Sequence, residues 1–346
     1  MANDIITING SSGGGQMLRN AVALSAVTGR PVRVTDIRGA RPQPGLRPQH
    51  LLAVRATAEA CGGRLLGAEI GSREITFEPG KIEPRQGWRL DVGTAGSVML
   101  ILQSLLPALA LADGPSDMTL IGGTDVPFAP PLDHFDRVFL PALSELGPRV
   151  TMQLVRRGFY PRGGGELRVT VETAPAIRAF SWCERGPFSR IAGRSYSQGL
   201  PSHIAERMRD SAVNVLRGSG HRPEVELEGV ERGPSDGCGI VLWADCEGGR
   251  RLAGSALGRR GKRAEEVGRE AANALLAELA GDWAVETHLA DQLIVWMAMA
   301  KGPCEFTTGR ITDHVRNAVI VAEAIAGVRF TLEEGRPSRV KCEPGL

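Results

Sequence analysis

Lysine is nearly missing from this chain: Lys81, Lys262, Lys301 and Lys341 stand among 41 basic residues, and the other 37 are arginine. Against 39 acidic residues the formal charge is only +2, which excludes a histone-like polycation. Cysteines are few and scattered, at 61, 183, 238, 246, 304 and 342, with no CxxC pair. No secretory or transit-type segment is read at the start, so reduced thiols and a cytoplasmic location are expected. The six histidines have neither HExxH nor Cys/His ligand spacing, so a divalent ion would have to arrive with a nucleotide. Walker, dinucleotide-binding and GxSxG patterns are also missing. The most apolar stretch, 97–112, is interrupted by Gln103 and Pro107 and falls short of the roughly 18 residues of a membrane span, so no membrane role is expected.

What is present is an ordinary globular composition, 42% hydrophobic with 44 glycines and 22 prolines in 346 residues. At roughly 100 to 200 residues per domain, the length allows two or three domains. The arginine excess as a whole is what GC-rich coding produces, and only particular arginines inform. Their planar fork suits phosphate.

Periodicity and breakers predict strand 5–8, then a helix over 16–28 with Met17, Leu18, Ala21, Val22, Leu24 and Val27 apolar, ended by Gly29. Strand 32–37, helix 48–61 and a hairpin of 64–70 with 73–77, turning at Gly71-Ser72, complete a βαβαββ order. The order repeats as strand 88–92, helix 95–111, strand 118–121, helix 132–146 and strands 149–155 and 166–171. A third copy opens with strand 177–183 and resumes only at helix 288–300, followed by strand 304–308, helix 313–326 and strands 328–332 and 338–342. The residues between carry their own strands (190–197, 224–228, 240–246, 251–256) and helices (202–216, 264–279). The expected organisation is therefore a large domain of 1–184 plus 285–346, with an inserted small α/β domain at 185–284.

In such a repeat, loops at equivalent positions converge. Ser11 to Gln16 form a glycine-rich strand-to-helix turn with Arg19 one turn in, either a phosphate cradle or a close-packing turn. The loop over 38–50 holds Arg38, Arg41 and Arg47 with Gln49 and His50, stiffened by prolines. It suits a polyphosphate or nucleic-acid end, or is a solvated loop. Unit two offers Gln103 in an apolar helix, and Pro130, Pro131 and Phe135 as an apolar slot for a flat base. Unit three offers His288, Leu289, Ala290, Asp291 and Gln292 at one helix start and His314 at another, where the helix field favours a neutral imidazole.

The run Arg157-Gly158-Phe159-Tyr160-Pro161-Arg162-Gly163-Gly164-Gly165-Glu166-Leu167 resembles the signature of the RNA 3'-terminal phosphate cyclase family. The resemblance extends through the GGGQ turn, the 38–50 loop, Gly122-Gly123-Thr124-Asp125, Leu289-Ala290-Asp291-Gln292 and His314. It implies three units like the C-terminal domain of translation initiation factor three, related to the enolpyruvyl transferases, with an insert in the third. It also implies a ligase-type reaction: a histidine takes AMP from ATP, passes it to an RNA 3'-phosphate, and the vicinal 2'-OH closes a 2',3'-cyclic phosphate.

By this resemblance His314 is the nucleophile. Gln103, Pro130, Pro131, Phe135 and the 288–292 run hold ATP, and Arg19, Arg38, Arg41, Gln49 and His50 hold phosphate or the RNA end. A divalent metal, Mg or Mn, accompanies the nucleotide, with its ligands unassigned. The chain departs from the family pattern at Ser12, where a glutamate thought to help hold metal usually precedes the turn, at Gln43, usually lysine, and at His288, usually a tyrosine stacked on adenine. Weaker metal or ATP binding is the expectation. The alternatives are a non-catalytic RNA-binding or ribosome-assembly relative, which His314 opposes, and an enolpyruvyl-type transferase, disfavoured because those enzymes pair two comparable domains. Oligomeric state is open, and the basic run Arg259-Arg260-Gly261-Lys262-Arg263 is either an RNA guide or a solvated helix start.

Overall fold

The computed structural model describes residues 4–345. Unit one comprises β1 (Ile6–Asn9), α1 (Gly14–Thr28), β2 (Val32–Thr35), α2 (Pro48–Ala60), β3 (Arg64–Leu66) and β4 (Ile75–Glu78). The expected apolar stripe of α1 is buried from Met17 to Leu24, and Gly29 ends the helix at φ 71°, donating its N–H to the Ser25 carbonyl. A helical crossover joins β1 and β2 in parallel, and β4 and β3 add antiparallel, in the order β1-β2-β4-β3.

The hairpin is shorter than its sequence pattern suggests. Residues 67–74 leave the ladder because Gly71 N–H donates to the Leu46 carbonyl and Leu46 N–H to Ser72, so the tip pairs with the arginine-rich loop instead. Gly45, at φ 80°, allows that approach: a Cβ there would stand 2.2 Å from the Gly71 carbonyl oxygen.

Unit two repeats the order with β5 (Trp88–Asp91), α3 (Val98–Leu109), β6 (Ser116–Gly122), α4 (Leu132–His134), α5 (Leu140–Leu146), β7 (Arg149–Arg156) and β8 (Gly165–Glu172). The single helix expected over 132–146 is split by a π-turn at Phe135–Phe139. Pro141 lacks an N–H and its ring crowds the carbonyl four residues back, that of Arg137. That carbonyl accepts instead from Arg251 at 2.7 Å.

Unit three opens with β9 (Ser181–Trp182), only two residues long against the seven of the expected strand. Pro303, just before the partner strand, has no N–H to donate, and pairing reduces to an isolated Ile177–Ala300 bridge and the short ladder at Glu305 and Phe306. The insert follows as β10 (Phe188–Gln198), α6 (His203–Gly218), β11 (Glu224–Val230), β12 (Gly237–Cys246), β13 (Arg251–Leu257) and α7 (Ala264–Leu279). Then α8 (Thr287–Met299), β14 (Cys304–Thr308), α9 (Asp313–Ala326), β15 (Arg329–Glu333) and β16 (Ser338–Glu343) complete unit three.

All three units share one topology, the third as β9-β14-β16-β15, and the insert forms its own sheet β11-β10-β12-β13. Alternating burial along β8 and β16 leaves one face of these sheets toward solvent. The helices turn inward, with α1 against α9, α2 and α3, so the starts of helices from different units meet. Two apolar cores result: one draws mainly on all three units, the other lies within residues 188–283. The fold is mixed α/β, three βαβαββ units carrying an α/β segment in the third. All six cysteines are unpaired, and no helix among the described residues is long and apolar enough to cross a membrane.

Candidate active site

A cavity of about 380 Å³ opens where the helix starts converge, within the range usual for small-molecule sites. Gln16 and Arg19 reach it from α1, Arg41 from the 38–50 loop, Gln103 from α3, Pro130 and Pro131 from the approach to α4, His288, Asp291 and Gln292 from α8, and His314 from α9. Residues nearly 300 positions apart in the chain thus share one chamber.

Its centre is a relay. Gln16 Nε2 donates to Asp291 Oδ2 at 2.6 Å, and Gln16 Oε1 lies 2.7 Å from His314 Nδ1. An ionised carboxylate only accepts, so the amide nitrogen faces Asp291 and the amide oxygen faces the imidazole. With Asp291 ionised, His314 carries its proton on Nδ1, leaving Nε2 with a free lone pair. Burial holds the His314 pKa below its usual value of 6.5, and the charges of Arg19 and Arg41 lower it further. The imidazole is therefore neutral near pH 7. Thr312 caps α9 by accepting from Val315 N–H at 3.3 Å, which secures the turn bearing His314.

Burial raises Asp291 to about 7, against the opposing pull of Arg19. Arg19 is itself lowered to about 10 by burial, with Asp291 countering. On the cavity wall Gln103 Nε2 donates to Gln292 Oε1 at 2.9 Å, and Gln292 Nε2 to the His288 carbonyl at 2.7 Å.

The structure does not bring every expected residue to the cavity. Phe135 is fully buried and packs on Phe139 with ring centroids 4.6 Å apart, while Leu289 and Ala290 face the core. Arg38, at φ 56°, braces its own loop, donating from Nη1 to the carbonyls of Gln43 and Gly45 at 2.8 Å each. Gln49 Oε1 accepts from Ser97 N–H, which ties unit one to unit two. His50 is buried and its Nδ1 accepts from Arg47 N–H. Burial first, then Arg19, Arg38 and Arg47, depress its pKa to about 3.

Sequence reasoning missed Gln16, Phe128, His134 and Ser255 as lining residues. Gln16 was visible as the polar residue closing the GGGQ turn. His134 and Glu286 form a buried pair at 2.9 Å, and the same carboxylate caps α8 by accepting from His288 N–H. Only tertiary contact reveals that pair.

Among the described residues no group of three or more His, Cys, Asp or Glu is placed to hold a metal ion. Ser12 Oγ, where a carboxylate would fit the pattern, donates to Asn317 Oδ1 at 3.1 Å. The donors among the described residues therefore do not make a metal cage.

The signature run lies beside the cavity rather than in it. Arg157 is 2% exposed and donates to Asp125 at 3.1 Å, Asp133 at 2.6 Å and Glu228 at 2.7 Å. Its guanidinium stacks 3.7 Å from the centre of the Tyr196 ring, and Tyr196 in turn donates to Asp125 at 2.7 Å. Gln198, Ser235 and Phe159 continue this seam between unit two and the insert. In the basic run, Lys262 pairs with Glu270 and Arg263 precedes α7 as its N-cap.

The sequence profile of the RNA 3'-terminal phosphate cyclase family matches residues 11–332. A protein of Archaeoglobus fulgidus named RNA 3'-terminal phosphate cyclase is 46% identical over 325 residues, 93% of this chain and 96% of the relative. One of Thermococcus gammatolerans with the same name is 45% identical over 341 residues, 97% of each chain. A solved structure, the enolpyruvyl transferase NikO of Streptomyces tendae, aligns with 99% of this chain and 66% of its own at 13% identity, with a TM-score of 0.28. With a profile match over most of its length and relatives this similar end to end, the chain belongs to the RNA 3'-terminal phosphate cyclase family.

Proposed function

We propose that this protein is an ATP-dependent RNA 3'-terminal phosphate cyclase of the ligase class, with His314 as its nucleophile. The observation that carries this reading is the Gln16 relay, which leaves a neutral Nε2 free in a chamber shared with Arg19 and Arg41. The lone pair of His314 Nε2 attacks the α-phosphorus of ATP, the bond to the β-phosphate oxygen breaks, and pyrophosphate leaves. An oxygen of the RNA 3'-phosphate displaces the imidazole and takes up AMP. The vicinal 2'-OH attacks that 3'-phosphorus, loses its proton and expels AMP, leaving a 2',3'-cyclic phosphate.

Arg19 and Arg41 face the phosphates and offset charge during in-line transfer. Pro130, Pro131, His288, Gln103 and Gln292 surround the base, with Asp291 holding the relay. Arg38, Gln49 and His50 act from behind, as braces of the loop that presents Arg41. A divalent cation such as Mg or Mn is carried by the nucleotide phosphates rather than by a protein cage, consistent with the donor set. Residues 1–184 with 285–346 form the catalytic body, and 185–284 an inserted domain whose separate core supports the division.

The test is incubation with ATP labelled at the α-phosphate and a divalent metal, followed by denaturation. Acid-labile, base-stable label on the parent and none on His314→Ala is expected, as is cyclisation of 3'-phosphorylated RNA. No label with any of several metals would turn the reading to a non-catalytic RNA-binding relative.

A further inference from the structure

The Phe128 ring is 101% exposed on a backbone at φ 65°. A bulky L-residue enters that region only under strain, and an exposed phenyl ring gains nothing from burial. Folding therefore rewards neither feature. Looseness does not explain them, because the arch is pinned at both ends. Arg157 holds Asp125 before it and Asp133 after it, Leu132 N–H donates to the Thr124 carbonyl at 3.1 Å, and Val126 is buried. Prolines at 127, 130 and 131 stiffen what remains. The ring stands at the rim of the cavity that holds Arg41 and His314.

We propose that Phe128 is a stacking platform for an unpaired nucleobase at the RNA 3' end, beside the chamber that receives its phosphate. The proposal rests on the cyclase reading and adds where the RNA strand lies. Aromatic faces beside basic groups are how proteins hold single strands without reading sequence, since every base has a π-face. The adenine of ATP is the weaker occupant. Pro130, Pro131 and His288 line the cavity itself and offer it a recess there, whereas a fully exposed ring at the rim can be reached by a chain that continues into solvent.

The experiment is equilibrium binding of short single-stranded 3'-phosphorylated RNA to ATP-free protein, measured by fluorescence anisotropy. Phe128→Ala is expected to weaken binding on the order of 10-fold, and Phe128→Trp to restore it. An abasic sugar at one of the last two positions should weaken binding to the parent by a similar factor and make little further difference to Phe128→Ala. Phe128→Gly should bind RNA as poorly as the alanine variant yet melt at a higher temperature, because glycine relieves the positive φ.

Equal RNA affinity of parent and Phe128→Ala, no RNA binding by the parent, additive losses in the abasic series, or an effect confined to the KM for ATP would each overturn the proposal. Labelling of the parent with ATP is followed in parallel. Labelled protein with no Phe128 effect defeats the platform alone. Base-dependent RNA binding without any label defeats the cyclase reading and leaves the platform standing.

Discussion

Arg157 Nη2 donates to Asp133 Oδ2 at 2.6 Å with both side chains at 2% exposure or less, and this bond joins the family signature to the helix start that borders the cavity. Burying a charge is tolerable only when it is paired, and removing one partner strands the other. Arg157→Met is therefore expected to cost about 3–5 kcal/mol in urea denaturation, because Asp125 remains buried without a cation and Asp133 keeps only Arg194. Arg157→Lys should rescue only part of this, since one ammonium cannot reach three carboxylates and stack on Tyr196. A loss below about 1 kcal/mol, the value of an exposed pair, would show that the seam is not held this way.

Gln16 is a positioning residue for His314. Gln16→Leu should lower the rate of self-adenylylation on the order of 10- to 100-fold, as when a group that orients a functional histidine is removed. Nitrogen NMR of His314 should show the Nδ1–H form dominant in the parent and a mixture in the variant. An unchanged tautomer ratio would refute the relay even if the rate fell.

The relay also sets a pH dependence. Its polarity needs Asp291 ionised, and burial raises that carboxyl to about 7, whereas His314 is held below 6.5 and is already neutral there. Self-adenylylation should thus rise with pH through about 7, and Asp291→Asn should lose that limb. Because the folded state holds the proton more tightly than the unfolded chain, Asp291 makes stability fall as pH rises from the ordinary carboxylate range to about 7. A limb that survives in Asp291→Asn would assign it elsewhere.

His50 acts with the opposite sign. With a folded pKa of about 3, it is kept neutral while the unfolded chain takes up a proton below about 6.5. Its contribution is complete above that value and is lost as pH falls toward 3. The stability difference between parent and His50→Gln should shrink across this window in denaturation at stepped pH. A constant difference would mean that His50 is not held neutral.

Ser12 hydrogen-bonds Asn317 where the family pattern suggests a carboxylate. Ser12→Glu is expected to lower the Mg or Mn concentration needed for half-maximal adenylylation. An unchanged metal titration would remove Ser12 as the source of weaker metal binding.

Much of the fold was readable from periodicity, because an apolar stripe at helical spacing and a breaker such as Gly29 act locally. The helix over 313–326 and the strand over 304–308 were expected at the positions they occupy. Where the pattern failed, a distant partner had taken the hydrogen bonds. The hairpin tip pairs with Leu46, Pro303 stands just before the partner strand of β9, and Pro141 frees a carbonyl for Arg251. Of the expected site, Arg19, Arg41, Gln103, Pro130, Pro131, His288, Asp291, Gln292 and His314 line one cavity. Arg38 and His50 turn to bracing, because the 38–50 loop must satisfy its own backbone before it can present a charge, and Gln49 ties the loop to Ser97 of unit two.

The sequence by itself determined the repeat, and through it the convergence of helix starts, since each unit places the same loop at the same end. It also determined the residue types that chemistry at those ends could use. Only the tertiary structure decided their roles. Gln16 meets Asp291 and His314 across 275 and 298 positions, and Phe135 turns into the core while Phe128 turns out. The reason is geometric: local spacing fixes which face of its own element a side chain occupies, but a hydrogen bond between units depends on how those units pack.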